Sequence, residues 1–124
     1  SGHHGLWGKG NSTIPFNMYE ESIRVPLIWS HRGQIKPGQR FSQMVSSYDF
    51  MPTLLDYLGV AAPEDRHRAG ESYAGLLRGK SYQDREDLYF EYEYVRSIRT
   101  RRWKYIHRVE GWPSELFDLQ KDPG

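Results

Sequence analysis

The stretches Leu88 to Tyr94 (LYFEYEY) and Ser97 to Val109 (SIRTRRWKYIHRV) decide the fold of this chain, because both alternate aromatic or β-branched residues with charged ones. A period of two is the signature of strands with one face buried and one solvated. With Leu116 to Leu119 they predict a small antiparallel sheet. Basic residues interleaved with Trp103, Tyr105 and His107 raise nucleic-acid binding as one reading. Asp87, Glu91, Glu93 and Glu110 lie close enough in sequence to pair with those bases across strands, so cross-strand pairing is the better account.

Upstream of the sheet, Ala62 to Asp87 is polar, with Gly70, Gly75 and Gly79, and encloses the short apolar stretch Tyr73 to Leu77. His67, between Arg66 and Arg68, reads as part of a solvated loop. The clearest helix is Phe50 to Leu58. Asp49 is placed to cap it, and Pro52 falls in the first turn, where no intrahelical donor is required. Gly59 supplies the stop. Leu54, Leu55 and Leu58, with Phe50 and Met51, form an apolar stripe expected to face a core. On this reading Asp49 is a cap and Asp56 an exposed helix residue, and neither is catalytic. Ile23 to Trp29 reads as a short buried strand, with Pro26 favouring an edge or a strand end. Arg24 could anchor the start of that strand through Glu20 or Glu21, although Glu20 reads better as a solvated charge.

Residues 1 to 18 carry glycine, asparagine and Pro15 with little periodicity, and read as an extended loop. Within it lies HGLWGKG (His4 to Gly10). Lys9 sits between two glycines, on backbone that can approach a ligand closely, and its ammonium offers three donors suited to sulfate or phosphate oxygens. His3 and His4 are adjacent, would point to opposite sides on a strand, and have no third partner at metal-ligand spacing. No metal site is expected in the chain. Trp7 reads as the residue that packs the loop in place.

HGLWGKG, MYEESIRVPLIW (Met18 to Trp29), SSYDFMPTLLDYLGV (Ser46 to Val60) and ELFDLQKDPG at the end of the chain form an ordered series. In that order they resemble the C-terminal third of type I sulfatases, formylglycine-dependent enzymes of the alkaline phosphatase superfamily. The connector and the IRTRRWKYI stretch are similar to the corresponding parts of the same family. The resemblance covers essentially the whole chain and implies an α/β fold: the C-terminal part of a sulfatase-like α/β domain plus a small antiparallel β subdomain. Residues 1–60 would end the catalytic domain, 61–87 connect, and 88–124 form the subdomain.

It also implies roles. Lys9 would be catalytic, contacting the sulfate and neutralising the leaving oxygen, and His4 would contact substrate, with His3 a solvated neighbour. The family's nucleophile, a cysteine or serine in a CxPSR-type motif converted to formylglycine, has no counterpart here, since the chain has no cysteine and no SxPxR sequence. Its calcium ligands have none either. The chain is therefore expected to be a fragment, inactive alone, of a sulfuric ester hydrolase whose full-length form carries calcium and formylglycine. Its partners would be a sulfated small molecule or sulfated carbohydrate and the rest of the sulfatase chain, in a periplasmic or secreted parent. Two alternatives remain open. One is a phosphonate or phosphodiester hydrolase of the same superfamily, and the other a non-catalytic module holding a carbohydrate or protein on its aromatic sheet.

Composition fits a piece of a globular protein. Of 124 residues 37% are hydrophobic and 15% aromatic, which is material for a core. The net charge of +1 gives no reason to invoke nucleic acid or an anionic membrane, and no apolar run approaches the roughly 20 residues a spanning helix needs. Folded alone, the chain should expose the apolar faces of Ile23 to Trp29 and Phe50 to Leu58 and self-associate.

Overall fold

The computed structural model describes residues 18–62, 69–109 and 111–122. They fall into two units, residues 18–28 with 86–122, and Trp29–Arg85.

The first unit is a four-stranded antiparallel sheet in the order β1-β2-β3-β4, with β1 Asp87–Tyr92, β2 Val95–Thr100, β3 Trp103–Arg108 and β4 Glu115–Asp118. The expected single strand from Ser97 to Val109 is in fact a hairpin. Thr100 ends it, because its hydroxyl accepts from the backbone of Arg102 (3.3 Å) and Trp103 (2.9 Å) and reverses the chain at Arg101 and Arg102. The β1–β2 turn is tighter still and puts Glu93 at φ +48.

Register fixes which residues share a face. Leu88, Arg99, Lys104 and Phe117 align across the four strands on one side, as do Phe90, Ser97, Ile106 and Glu115. This side is the buried one, and Met18, Val95 and Ile106 form its core with Tyr19, Ile23, Phe90 and Phe117 around them. The opposite side aligns Tyr89, Ile98, Tyr105 and Leu116, and of these Tyr89, Tyr105 and Leu116 are exposed. In β3 the alternation thus buries Lys104, Ile106 and Arg108 and exposes Trp103, Tyr105 and His107.

The one-turn helix α1 (Glu20–Ile23) lies where a strand was expected to begin. Residues 24–30 form no strand, and Ile28 is 80% exposed. Pro26 removes one ladder donor, and among the described residues no strand pairs with this stretch.

The second unit contains α2 (Phe50–Leu58) and the one-turn α3 (Ala74–Leu77), which lies within the short apolar stretch Tyr73 to Leu77. Gly59 ends α2 in the left-handed region at φ +68, as its sequence position predicts. Asp49 occupies the N-cap position of α2, but its carboxylate makes no cap hydrogen bond to that helix. The chain enters α2 through a 3₁₀ turn, Ser47–Asp49, and the capping box belongs to Ser46: its hydroxyl accepts from Tyr48 N while Asp49 Oδ2 accepts from Ser46 N at 2.7 Å. Asp49 is fully buried, and its other oxygen accepts from Glu71 N (2.8 Å) and Arg85 (2.6 Å). Gly70, at φ +96, lets the backbone lie against this turn, since a Cβ there would strike the Tyr48 carbonyl.

The leucine stripe of α2 is not the core face either. Phe50, Met51 and Leu58 are exposed and Leu54 and Leu55 only half-buried, whereas Thr53 is fully buried and its hydroxyl accepts from Tyr73 N at 3.1 Å. Asp56 is exposed, as expected, and ties the helix to Ser72 (2.5 Å) and Arg78 (3.0 Å). The remaining packing is aromatic: Trp29 stacks on Phe50 at 5.4 Å and donates its indole N–H to Tyr73 Oη at 3.1 Å.

Candidate functional site

Lys9 and His4, with His3, Trp7 and His67, lie outside the described residues. What the structure does describe is how the chain is held just after the Lys9 segment. Three consecutive residues, Met18, Tyr19 and Glu20, are each fixed to the buried side of the sheet.

Met18 fills the apolar core between Val95 and Ile106. Tyr19 Oη donates to the Glu115 carboxylate at 3.1 Å and accepts from Arg108 at 3.3 Å, while its ring meets Phe117 edge-on at 6.0 Å. Arg108 is itself buried, paired with Glu115 at 2.5 Å and donating to the Pro113 carbonyl at 2.8 Å. Burial, reinforced by the neighbouring Glu115 charge, raises the Tyr19 hydroxyl above its ordinary value, so it remains a donor at any physiological pH.

Glu20 corrects the expectation of a solvated charge: it is 8% exposed and ligated by two cations. Arg99 Nε lies 3.1 Å from one carboxylate oxygen and 3.2 Å from the other, and Lys104 Nζ lies 3.0 Å from the first. Lys104 is 1% exposed, so its ammonium is committed to Glu20 and cannot reach a ligand in solvent. Burial works against the Glu20 carboxylate, but the Arg99 hydrogen bonds and the Lys104 charge outweigh it, and the group titrates below the ordinary range. Burial, aided by the neighbouring Arg99 charge, lowers Lys104 as well, against the charge and hydrogen bond of Glu20. Such a triad is costly to desolvate and stable only while complete, because losing one member strands the others without water.

Cross-strand pairing, as expected from sequence, holds for Glu91 with Arg96, which are aligned partners 3.1 Å apart. For the two buried bases the partners are not the expected ones: Arg108 pairs across strands with Glu115 of β4, and Lys104 with Glu20 outside the sheet. Neither reaches the carboxylates of β1, because their side chains leave on the buried side. The signal was present in the alternation: assigning Ile106 to the core assigns Lys104 and Arg108 to it as well, and two buried cations require two carboxylates. Among the described residues no group of three His, Cys, Asp or Glu could hold a metal ion.

The family described as N-sulphoglucosamine sulphohydrolase, C-terminal, matches residues 2–124. The Delta 4,5-hexuronate-2-O-sulfatase of Bacteroides thetaiotaomicron is 34% identical over 90% of this chain and 25% of its own length. A crystal structure from the same organism, described as that of a sulfatase, superposes with a TM-score of 0.70 at 34% identity, covering 86% of this chain and 25% of that one. A protein solved with its substrate D-glucosamine-2-N,6-O-disulfate superposes with a TM-score of 0.67 at 32% identity over 88% and 24% of the two chains. The four-stranded antiparallel sheet with its few helices is thus the C-terminal architecture of sulfatase structures. The chain spans about a quarter of the length of the relatives it matches. On the match across residues 2–124, the chain belongs to the N-sulphoglucosamine sulphohydrolase C-terminal family, within the sulfatases of the alkaline phosphatase superfamily.

Proposed function

We propose that the chain is the C-terminal part of a sulfatase whose full-length form hydrolyses sulfate monoesters of carbohydrates, with Lys9 as a catalytic residue and His4 as a substrate contact. The family match over residues 2–124, which contains HGLWGKG, carries the reading. The names of the relatives supply the substrate class: one is a hexuronate sulfatase, and another protein was solved with a sulfated glucosamine as its substrate. A phosphonate or phosphodiester hydrolase, or a non-catalytic module on the aromatic sheet, has no such support from the family match.

In that enzyme residues 1–60 complete the catalytic domain, 61–87 connect, and 88–124 form the C-terminal subdomain. Calcium and formylglycine, which membership of the family implies, find no fitting ligand set among the described residues and no cysteine in the chain, and would be held by other parts of the longer protein. The contribution of this chain is electrostatic. The Lys9 ammonium donates to an oxygen whose negative charge grows as the S–O bond breaks, and a preorganised donor of this kind is worth most in the transition state.

The test is Lys9→Ala in the full-length enzyme, assayed on one sulfated sugar and, in parallel, on a phosphonate ester. Loss of one such donor lowers kcat on the order of a hundredfold or more. Lys9→Arg rescues little, because a planar fork does not place its donors where a compact ammonium does. A Lys9→Ala enzyme within a fewfold of wild type, with an unchanged circular dichroism spectrum, or a parent that prefers the phosphonate, removes this reading.

A further inference from the structure

We infer that the loop 31–40 of the second unit is a binding surface for a sulfated polysaccharide chain, with the exposed cations Arg32, Lys36 and Arg40 pairing with its sulfate groups. The charge of the loop stands by itself; the choice of polymer rests on the function proposed above.

The chain as a whole balances 17 Lys and Arg against 16 Asp and Glu, but the charge is unevenly spread. From Trp29 to Tyr48 there is no Asp or Glu, and Arg32, Lys36 and Arg40 are all exposed. The described carboxylates of the same unit are engaged elsewhere: Asp49 by Arg85, Asp56 by Arg78 and Ser72, Glu71 by Arg85 at 3.7 Å, and Asp84 by the Met44 N–H at 3.0 Å. Among the described residues no ion pair reaches the three loop cations, so their fields add outward. The loop is also tied down. The His31 carbonyl accepts from Gln34 N (3.0 Å) and Ile35 N (2.9 Å), closing a turn, and His31 Nδ1 lies 2.8 Å from Tyr57 Oη on α2. A tethered loop gives up less conformational freedom on binding, so more of its charge attraction appears as affinity.

Three kinds of polyanion could meet such a loop. Its apolar content is the half-buried Ile35 and, at its end, the exposed ring of Phe41, which is too little to seat it in a membrane or to stack a run of bases. Two of the three cations are arginines, whose planar forks match the oxygens of a tetrahedral anion. A polysaccharide that repeats sulfate groups along its length meets several cations at once, and it carries the ester on which this family acts.

The test titrates dextran sulfate, unsulfated dextran, a DNA duplex and phosphatidylserine vesicles into the full-length enzyme and its Arg32→Gln, Lys36→Gln, Arg40→Gln triple variant at low salt. Three exposed charge contacts are together worth on the order of tenfold in affinity. The variant should therefore bind dextran sulfate about tenfold more weakly at an unchanged melting temperature, with the difference vanishing near about 1 M salt and unsulfated dextran bound by neither. Should the triple variant melt lower, Lys36→Glu alone must show the loss. Undiminished binding of dextran sulfate by the variant, or equal loop-dependent binding of the duplex or the vesicles, overturns the inference. Hydrolysis of a sulfated monosaccharide by the same wild-type preparation separates the two readings. If hydrolysis is present and loop dependence absent, only this inference falls; an enzyme that binds dextran sulfate through the loop but hydrolyses only a phosphonate ester overturns the functional reading and with it the choice of polymer.

Discussion

At the scale of single residues, a glutamate that reads as solvated and a lysine that reads as half of a surface pair prove to be buried partners in the sheet unit. Removing the Glu20 charge strands Lys104 and Arg99, and breaking a buried pair in this way costs about 3 kcal/mol. The pH dependence follows from the direction of the Glu20 shift. Its folded value lies below the ordinary 4.5, so the unfolded chain binds the proton more readily. The stability it contributes is therefore complete above about pH 4.5 and is lost as pH falls through the lower folded value. Unfolding curves of wild type and Glu20→Gln, followed by circular dichroism from pH 7 to pH 3, should differ most at neutrality and converge in acid. A gap that stays constant across this range would show that the Glu20 charge does not stabilise the fold.

Among the elements, α2 shows how a strong local signal can be right about position and wrong about orientation. Phe50–Leu58 is helical and stops at Gly59, as its sequence dictates, but its buried residue is Thr53. Asp49 carries the joint: it accepts from two backbone N–H groups, of Ser46 and Glu71, and from Arg85, so it fastens the start of α2 to two distant stretches of the second unit. Asp49→Ala takes the buried acceptor from those part-buried donors, at about 1 kcal/mol each. The second unit should then unfold at least 10 °C lower, with loss of α2 amide protection in hydrogen exchange. Asp49→Asn, which can accept one of these bonds, should fall between. A variant Asp49→Ala with an unchanged melting temperature would mean that the joint carries no load.

For the whole molecule, the apolar side chains that remain at the surface are the telling feature. In the first unit Leu27 and Ile28 are exposed, and so is the row of Tyr89, Tyr105 and Leu116. In the second, Phe41, Phe50, Met51, Leu58 and Val60 are exposed. Neighbouring exposed apolar residues of this size mark surfaces that bind another surface. The isolated chain should therefore self-associate or bind a hydrophobic dye at neutral pH, as seen by light scattering and dye fluorescence. A monodisperse monomer without dye binding would show that these side chains need no cover.

The sequence by itself determined what local chemistry controls. The period of two in the last third of the chain, the helix ended by Gly59 and the ordered motifs around Lys9 were all legible, because each depends on neighbours a few positions away. Tertiary structure alone decided which side of each element faces inward. Lys104 and Arg108 lie inside and Trp103 and Tyr105 outside because two carboxylates, Glu20 far along the chain and Glu115 on the adjacent strand, lie on the buried side to receive the two cations. The same holds for Asp49, whose carboxylate is claimed by Glu71 N and Arg85, residues 22 and 36 positions away. Alternation states that two faces differ, but only the long-range partner of a charge states which face can be dry.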